Sequence, residues 1–325
     1  MIVTLILVAI AGLIGLGINV PLVGALIRFR ANYTPRSLHL DQEGQPEPHA
    51  GPVISNYFAM LFRIKRIEGW SGLWKGYMPS ALSSIIIITF VGIIGASMSF
   101  RPGGAHTVEI ESSFRLVLYA SFLALLTTPF TVIINRAITT PHKLPWFAPL
   151  RSLQILLTPY ELHRPWALYL GPGLLLARSL HVFWLVFVQR GMRRLLLPDF
   201  KTVYDGGDQR NMFTGLSPIG VGFYIAFVGI SAVLVLTPLE VIATRLSVQR
   251  NNSQSGGFGP AAQDEDQPDL EFAGRDEDVI ALRPEDQPYS SFIECGKTIL
   301  EEEGPETLLR AWWVTMAATL IGAFS

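Results

Sequence analysis

The chain has 325 residues, half of them hydrophobic and 16% charged, where an ordinary soluble domain carries about 25% charged residues. Mean hydropathy is +0.37 and net charge is −1, so no global basic field recruits nucleic acid or an acidic surface. The single cysteine, Cys295, excludes an intrachain disulfide and a thiolate metal cluster.

Taken in chain order, the apolar residues gather in six segments near the roughly 20 residues that cross about 30 Å of hydrocarbon. The first, Ile2–Ile27, has no basic stretch before it and exceeds the roughly 7–15 residues of a leader core. It reads as a helix that stays, with a cleaved or anchoring leader as the alternative. Its Gly12, Gly15 and Gly17 either admit a close partner helix or are simply tolerated. Residues 32–50 read as a polar loop. In Tyr57–Ile67 apolar residues interleave with Arg63, Lys65 and Arg66, the pattern of an amphipathic helix at a membrane surface. Pro79–Phe100, Phe114–Ile138 and Gly171–Val188 are the next three spans. Arg190, Arg193 and Arg194 follow and are expected to anchor on anionic lipid head groups. Ile219–Ala243 is the fifth span. Residues 251–288 are Gly-, Pro- and acid-rich and are expected to be a disordered, solvated insert, with a regulatory or partner-binding role as the alternative. The short Ala311–Phe324 is the sixth. Trp74, Trp166, Trp312 and Trp313 flank span starts, which suits an aromatic belt or plain packing.

An internal repeat organises these segments. Pro21 is followed seven residues later by Arg28, Pro129 by Arg136 and Pro238 by Arg245, each near the end of an apolar span and at intervals of 108 and 109 residues. A second element recurs between spans: Glu68-Gly69 then Gly72-Leu-Trp-Lys-Gly76, Glu161 then Ala167-Leu-Tyr-Leu-Gly171, and Glu303-Gly304 then Thr307-Leu-Leu-Arg-Ala311. One unit is a kinked span, a polar surface helix, a short turn and a second span. Three units put both termini on one side.

At these residues the chain resembles the mitochondrial carrier family, which repeats Pro-x-Asp/Glu-x-x-Lys/Arg-x-Lys/Arg three times, each followed by Glu-Gly and an aromatic-glycine turn. The likeness runs from Ile2 to Phe324, and Pro238-Leu-Glu240-Val-Ile-Ala-Thr-Arg245 is the best-matched copy. The resemblance implies an all-α membrane protein: six transmembrane helices in three pseudo-threefold repeats, with short surface helices between the helices of each repeat. It implies one carrier-like domain over 1–325, with repeats at 1–100, 112–196 and 216–325.

In the family, the acid of one repeat pairs with the first basic residue of a neighbour and closes the matrix side. Here the acidic positions hold Val23, Thr131 and Glu240, and the first basic positions hold Leu26, Ile134 and Ala243. One of six charges remains, so no such ring of ion pairs is expected. Glu240 lacks its usual partner, and Arg245 is badly placed to replace it. A lone carboxylate at mid-membrane costs roughly 2.5–3.5 kcal/mol, so Glu240 is expected to be partnered, wet or protonated. The family's other gate, an aromatic-acidic-x-x-basic motif late in the even spans, is missing.

Family substrate contacts lie seven residues beyond the turn glycine of each even span. That count gives Ser83 from Gly76, Arg178 from Gly171 and Ala318 from Ala311, with His181 one turn beyond Arg178. Arg178 suits a carboxylate or phosphate in bidentate geometry, or snorkels to the interface. His181 is a ligand or a packed, hydrogen-bonded residue. No metal set, phosphate loop, nucleophile elbow or facing acid pair supports an enzyme or a cofactor. Two functions remain. One is alternating-access transport of a small anionic metabolite across a mitochondrial membrane, the inner rather than the outer. The other is a non-transporting carrier-fold adaptor in the outer membrane, acting in fusion, lipid handling or contact sites. The basic residues gather on the Arg28 side, and the resemblance implies that this side faces the matrix.

Overall fold

Long apolar runs and interrupting prolines decide the helices. The computed structural model describes residues 2–36, 52–99, 113–146, 148–198, 217–251, 271–274, 277–285 and 287–324. Helix α1 (Ile2–Ala31) runs through Pro21, and α5 (Ser113–Thr139) runs through Pro129. A proline inside a helix leaves a carbonyl without its donor, and nearby hydroxyls can serve instead. Next to Pro129, Thr127 and Thr128 donate to the Ala124 carbonyl at 3.2 and 2.6 Å, one position before the Leu125 carbonyl that the proline leaves without its N–H. The third kinked helix is α10 (Pro218–Ser231), a π-turn at Ala232–Leu236, and α11 (Thr237–Val248). Pro238 follows the π-turn inside the continuous helical run 218–248. The Thr237 hydroxyl bonds the Ala232 carbonyl at 2.8 Å across the widened turn.

Among the described residues, three helices are long and apolar enough to cross a membrane, over 14–31, 120–139 and 218–248. The other predicted spans are also helical. They are α4 (Tyr77–Ser99), the run of α8 (Leu174–Phe183) through a π-turn into α9 (Arg190–Leu196), and α14 (Trp312–Gly322). Around Gly12, Gly15 and Gly17 nothing among the described residues lies within contact of an added Cβ, so these glycines serve no close packing among them.

Surface helices fill the connections: α2 (Tyr57–Ile67), α3 (Gly69–Leu73), α6 (Pro149–Leu156), α7 (Pro159–His163), α12 (Phe292–Thr298) and α13 (Pro305–Leu308). Helix α2 matches the amphipathic stretch read from the sequence. Asn56 caps it by accepting the Ala59 N–H at 2.8 Å. Tyr57, Met60 and Ile64, at helical spacing, pack with Ala25 and Phe29 of α1. Phe58 and Phe62 of the same helix stay exposed.

The turns before α4, α8 and α14 each need one left-handed residue. These are Gly76 (φ 87°), Gly173 (φ 84°) and Ala311 (φ 55°). Ala311 therefore does stand in a glycine position. In the second unit the left-handed residue is Gly173 rather than Gly171, whose φ is −51°.

The acidic insert departs from the solvated tether expected of it. Its described part, from 271 on, lies on the bundle: Val279 and Ile280 are buried in the cluster that holds Phe29, Met60 and Ile64. A buried pair of adjacent residues is too short to register as periodicity. Residues 252–270 lie outside the described residues, as do 37–51 of the predicted first loop.

Candidate functional site: an arginine ring and a polar centre

The three repeat arginines form a closed cycle. Arg28 Nε donates to the Ile138 carbonyl at 2.7 Å, Arg136 Nε to the Ser247 carbonyl at 3.3 Å, and Arg245 Nε to the Arg30 carbonyl at 2.7 Å. In every case the acceptor stands two residues past the counterpart arginine of the next unit. Second donors reinforce two of the links, from Arg136 Nη2 to the Gln249 carbonyl and from Arg245 Nη2 to the Asn32 carbonyl, both at 2.7 Å. These acceptors are carbonyls at the ends of α5, α11 and α1, which have no intrahelical donor of their own.

Each arginine also pairs with the glutamate of its own surface helices: Arg28 with Glu68 at 2.7 Å, Arg136 with Glu161 at 2.6 Å, Arg245 with Glu303 at 2.9 Å. All six side chains are at most 6% exposed. A buried arginine is stable only when charge and hydrogen-bond donors are both matched, and the carboxylate and carbonyls together do most of that here. The turn bases extend the scheme. Lys75 bridges Glu68 and the Thr140 carbonyl at 2.7 and 2.6 Å. Arg310 reaches Glu303 at 3.6 Å and the Phe29 carbonyl at 3.2 Å. Burial, partly offset by Glu68, pulls the Lys75 ammonium down to about 8.

A second cluster lies one to two turns deeper. Glu240 is not alone, as its motif context suggested: Arg30 Nη1 pairs with it at 2.8 Å. Arg178 on α8 donates to Thr131 at 2.6 Å and to Thr127 at 2.9 Å, both on α5. Among the described residues no carboxylate lies within ion-pair distance of Arg178. His181, one turn further on, is within electrostatic reach of Glu240, Arg178 and Arg30. The structure thus brings Arg178, His181, Glu240 and Arg30 together. Ser83 stands elsewhere: its hydroxyl bonds the Ser80 carbonyl at 3.0 Å, and it lines a cavity of about 580 Å³ beside Lys75, Trp74, Lys143 and Trp146. Counted from the left-handed residue of each turn, the position matching Ser83 and Ala318 is Leu180, so Arg178 enters the centre from half a turn earlier.

Sequence reasoning missed Arg30 and the carbonyl partners of the ring. Arg30 carries a legible signal: it lies one helical turn beyond Leu26, the empty basic position, on the same face of α1. Among the described residues no cluster of His, Cys, Asp or Glu could hold a metal ion. Arg193 Nη1 bonds the Ala323 carbonyl at 3.2 Å, which ties α9 to the end of α14.

The sequence model of the family described as "Mitochondrial carrier protein" matches residues 216–325. No curated protein and no solved structure matches the chain.

Proposed function

Through residues 216–325 the chain belongs to the mitochondrial carrier family, whose members are transporters rather than enzymes, and on that premise we propose that it carries a small anionic metabolite across the inner mitochondrial membrane by alternating access. The proposed scaffold is six spans in three repeats, with residues 1–100, 112–196 and 216–325 as its units and the arginine ring on the matrix side. Pro21, Pro129 and Pro238 are the points where the odd helices bend as the bundle opens.

One observation carries the reading. Arg178 is a guanidinium inside a span, oriented by two threonine hydroxyls and, among the described residues, within ion-pair distance of no carboxylate. A charge so placed is costly unless it serves a ligand or a pathway. A carboxylate or phosphate would neutralise it, with His181 as a second polar contact. An anionic lipid is the proposed further partner. The 580 Å³ cavity offers its acyl chains an apolar wall of Leu82, Ile86 and Phe130, while Lys75 and Lys143 on its lining are already paired, with Glu68 and Glu271.

The test is uptake of labelled dicarboxylates and phosphate into liposomes containing the purified chain. Uptake is expected, and Arg178→Ala should lower it by about 100-fold or more, the loss of a charge-assisted contact worth roughly 3 kcal/mol. Absence of uptake, or indifference to that substitution, overturns the reading. The second reading, an adaptor that moves nothing, draws on the uncharged motif positions Val23, Leu26, Thr131, Ile134 and Ala243 and gains from either failure.

A further inference from the structure

The described residues of 271–289 meet the ends of all three odd helices, and at each end they make a reciprocal pair of hydrogen bonds. Beyond α1, the Tyr33 N–H donates to the Ala281 carbonyl at 2.9 Å, and the Ala281 N–H to Asn32 Oδ1 at 3.2 Å. Beyond α5, the Lys143 N–H donates to the Glu271 carbonyl and the Ala273 N–H to the Pro141 carbonyl, both at 2.8 Å. Beyond α11, Gln249 Nε2 donates to the Tyr289 carbonyl at 3.1 Å, and the Tyr289 N–H to Gln249 Oε1 at 2.9 Å.

Side chains add to this backbone pattern. Arg63 of α2 holds Glu277 at 2.8 Å and the Val279 carbonyl at 3.0 Å. Arg283 grips Glu302 with both terminal nitrogens, at 2.9 and 3.0 Å. Val279 and Ile280 are 6% and 7% exposed. Beneath the segment is a cavity of about 250 Å³ lined by Arg136, Arg245, Arg250 and Arg283. Each guanidinium already faces a carboxylate, Glu161, Glu303, Glu285 and Glu302 in turn. That seam is electrically balanced, so its role is to hold surfaces together rather than to collect an anion.

We propose that the described residues of 271–289 form a built-in latch, which ties the ends of α1, α5 and α11 to one another and must let go before this face of the bundle can open. The family's ring of ion pairs has lost five of its six charges, at Val23, Leu26, Thr131, Ile134 and Ala243. The latch supplies cross-links between units on the same side. It acts from outside the arginine cycle, so the helix ends are held by two layers. Parting any two ends by a few ångströms breaks at least one reciprocal pair, since a hydrogen bond fails steeply beyond about 3.5 Å. The Val279–Ile280 anchor resists that release by removing apolar surface from water.

Amide hydrogen exchange on the full chain in lipid nanodiscs tests the latch. In Val279→Ser/Ile280→Ser, exchange at Tyr33, Lys143 and Tyr289, whose N–H groups make the latch bonds, should rise together by about tenfold or more, because exchange follows the opening equilibrium. A rise confined to Tyr33 and its neighbours overturns the proposal, and so does no rise. A second chain guards against misfolding: His142→Cys/Phe272→Cys in a Cys295→Ser background. His142 and Phe272 face each other across an antiparallel bridge, and such non-hydrogen-bonded pairs bring Cα atoms to about 4.5 Å, within disulfide reach. Oxidation should slow exchange at Tyr33 and Tyr289, which bond the ends of α1 and α11, by about tenfold, and reductant should restore it. Slowing at Lys143 alone overturns the latch. Neither readout depends on whether the chain transports anything.

Discussion

Arg30 and Glu240 are bound twice over: Nη1 stands 2.8 Å from the carboxylate, and Thr315 accepts from Arg30 Nη2 and donates to Glu240, both at 2.6 Å. The pair joins α1 to α11, and Thr315 adds α14. Arg30→Met leaves a half-buried carboxylate unmatched. It should lower stability by about 2 kcal/mol, less than the roughly 3–5 kcal/mol of a fully buried pair, because Glu240 is 29% exposed. Arg30→Met/Glu240→Gln should recover part of the loss, with a coupling of about 1–3 kcal/mol in a double-mutant cycle read by thermal unfolding. Strict additivity would mean that the two groups do not interact.

Glu161 reports the cost of breaking the ring from its carboxylate side. Burial raises its affinity for a proton. The Arg136 guanidinium and the N–H groups of Thr158 and Asn251 outweigh that and hold the carboxyl below the ordinary value of 4.5. A group lowered on folding stabilises above its unfolded value and loses that contribution as pH falls through the folded one. Acid unfolding of the wild type should therefore steepen below about pH 4.5. Glu161→Gln should flatten that limb and cost about 3 kcal/mol at pH 7, since it strands a buried arginine. An unchanged acid limb would show that Glu161 is not protonated on unfolding.

Lys75 has the opposite sign. Its folded value is about 8 against an ordinary 10.5. Between those values the unfolded chain keeps a proton that the folded chain has shed, so stability rises with pH across that window. The melting temperature measured from pH 7.5 to 10 should carry a rising component worth about 1–3 kcal/mol that Lys75→Met abolishes. A component that persists in the variant belongs to another group.

Ala311 and Gly76 occupy equivalent turns and should respond to exchange in opposite directions. Ala311 holds φ 55° with a Cβ, so Ala311→Gly should stabilise by about 1 kcal/mol. At Gly76, φ is 87° and an added Cβ would lie 2.6 Å from Ile138 Cγ1. Gly76→Ala should destabilise by about 2 kcal/mol or more through strain and overpacking. Differential scanning of both variants checks the pair, and a shared sign would deny the equivalence.

Much of this was legible because it repeats. Proline–arginine spacing at intervals of 108 and 109 marked the three ring arginines, and the recurring glutamate before each turn, Glu68, Glu161 and Glu303, marked their carboxylates. The amphipathic pattern marked α2 to its ends. Other features lack any local signature. Arg28 finds the Ile138 carbonyl 110 residues away, and a backbone carbonyl is chemically the same in every residue. Gly171 and Gly173 both fit the turn by composition, and only the backbone angle separates them. The acidic insert misled because composition averages over its length, while two adjacent aliphatic residues and a few carbonyls suffice to fasten it.

The arginine cycle also constrains how the protein is made. Synthesis runs from residue 1, so Arg28 can meet the Ile138 carbonyl as soon as the second unit emerges. Arg136 and the Arg30 carbonyl must wait for residues 245–249. When two-thirds of the chain has been made, two of the three joints are still open, and the last unit is the keystone.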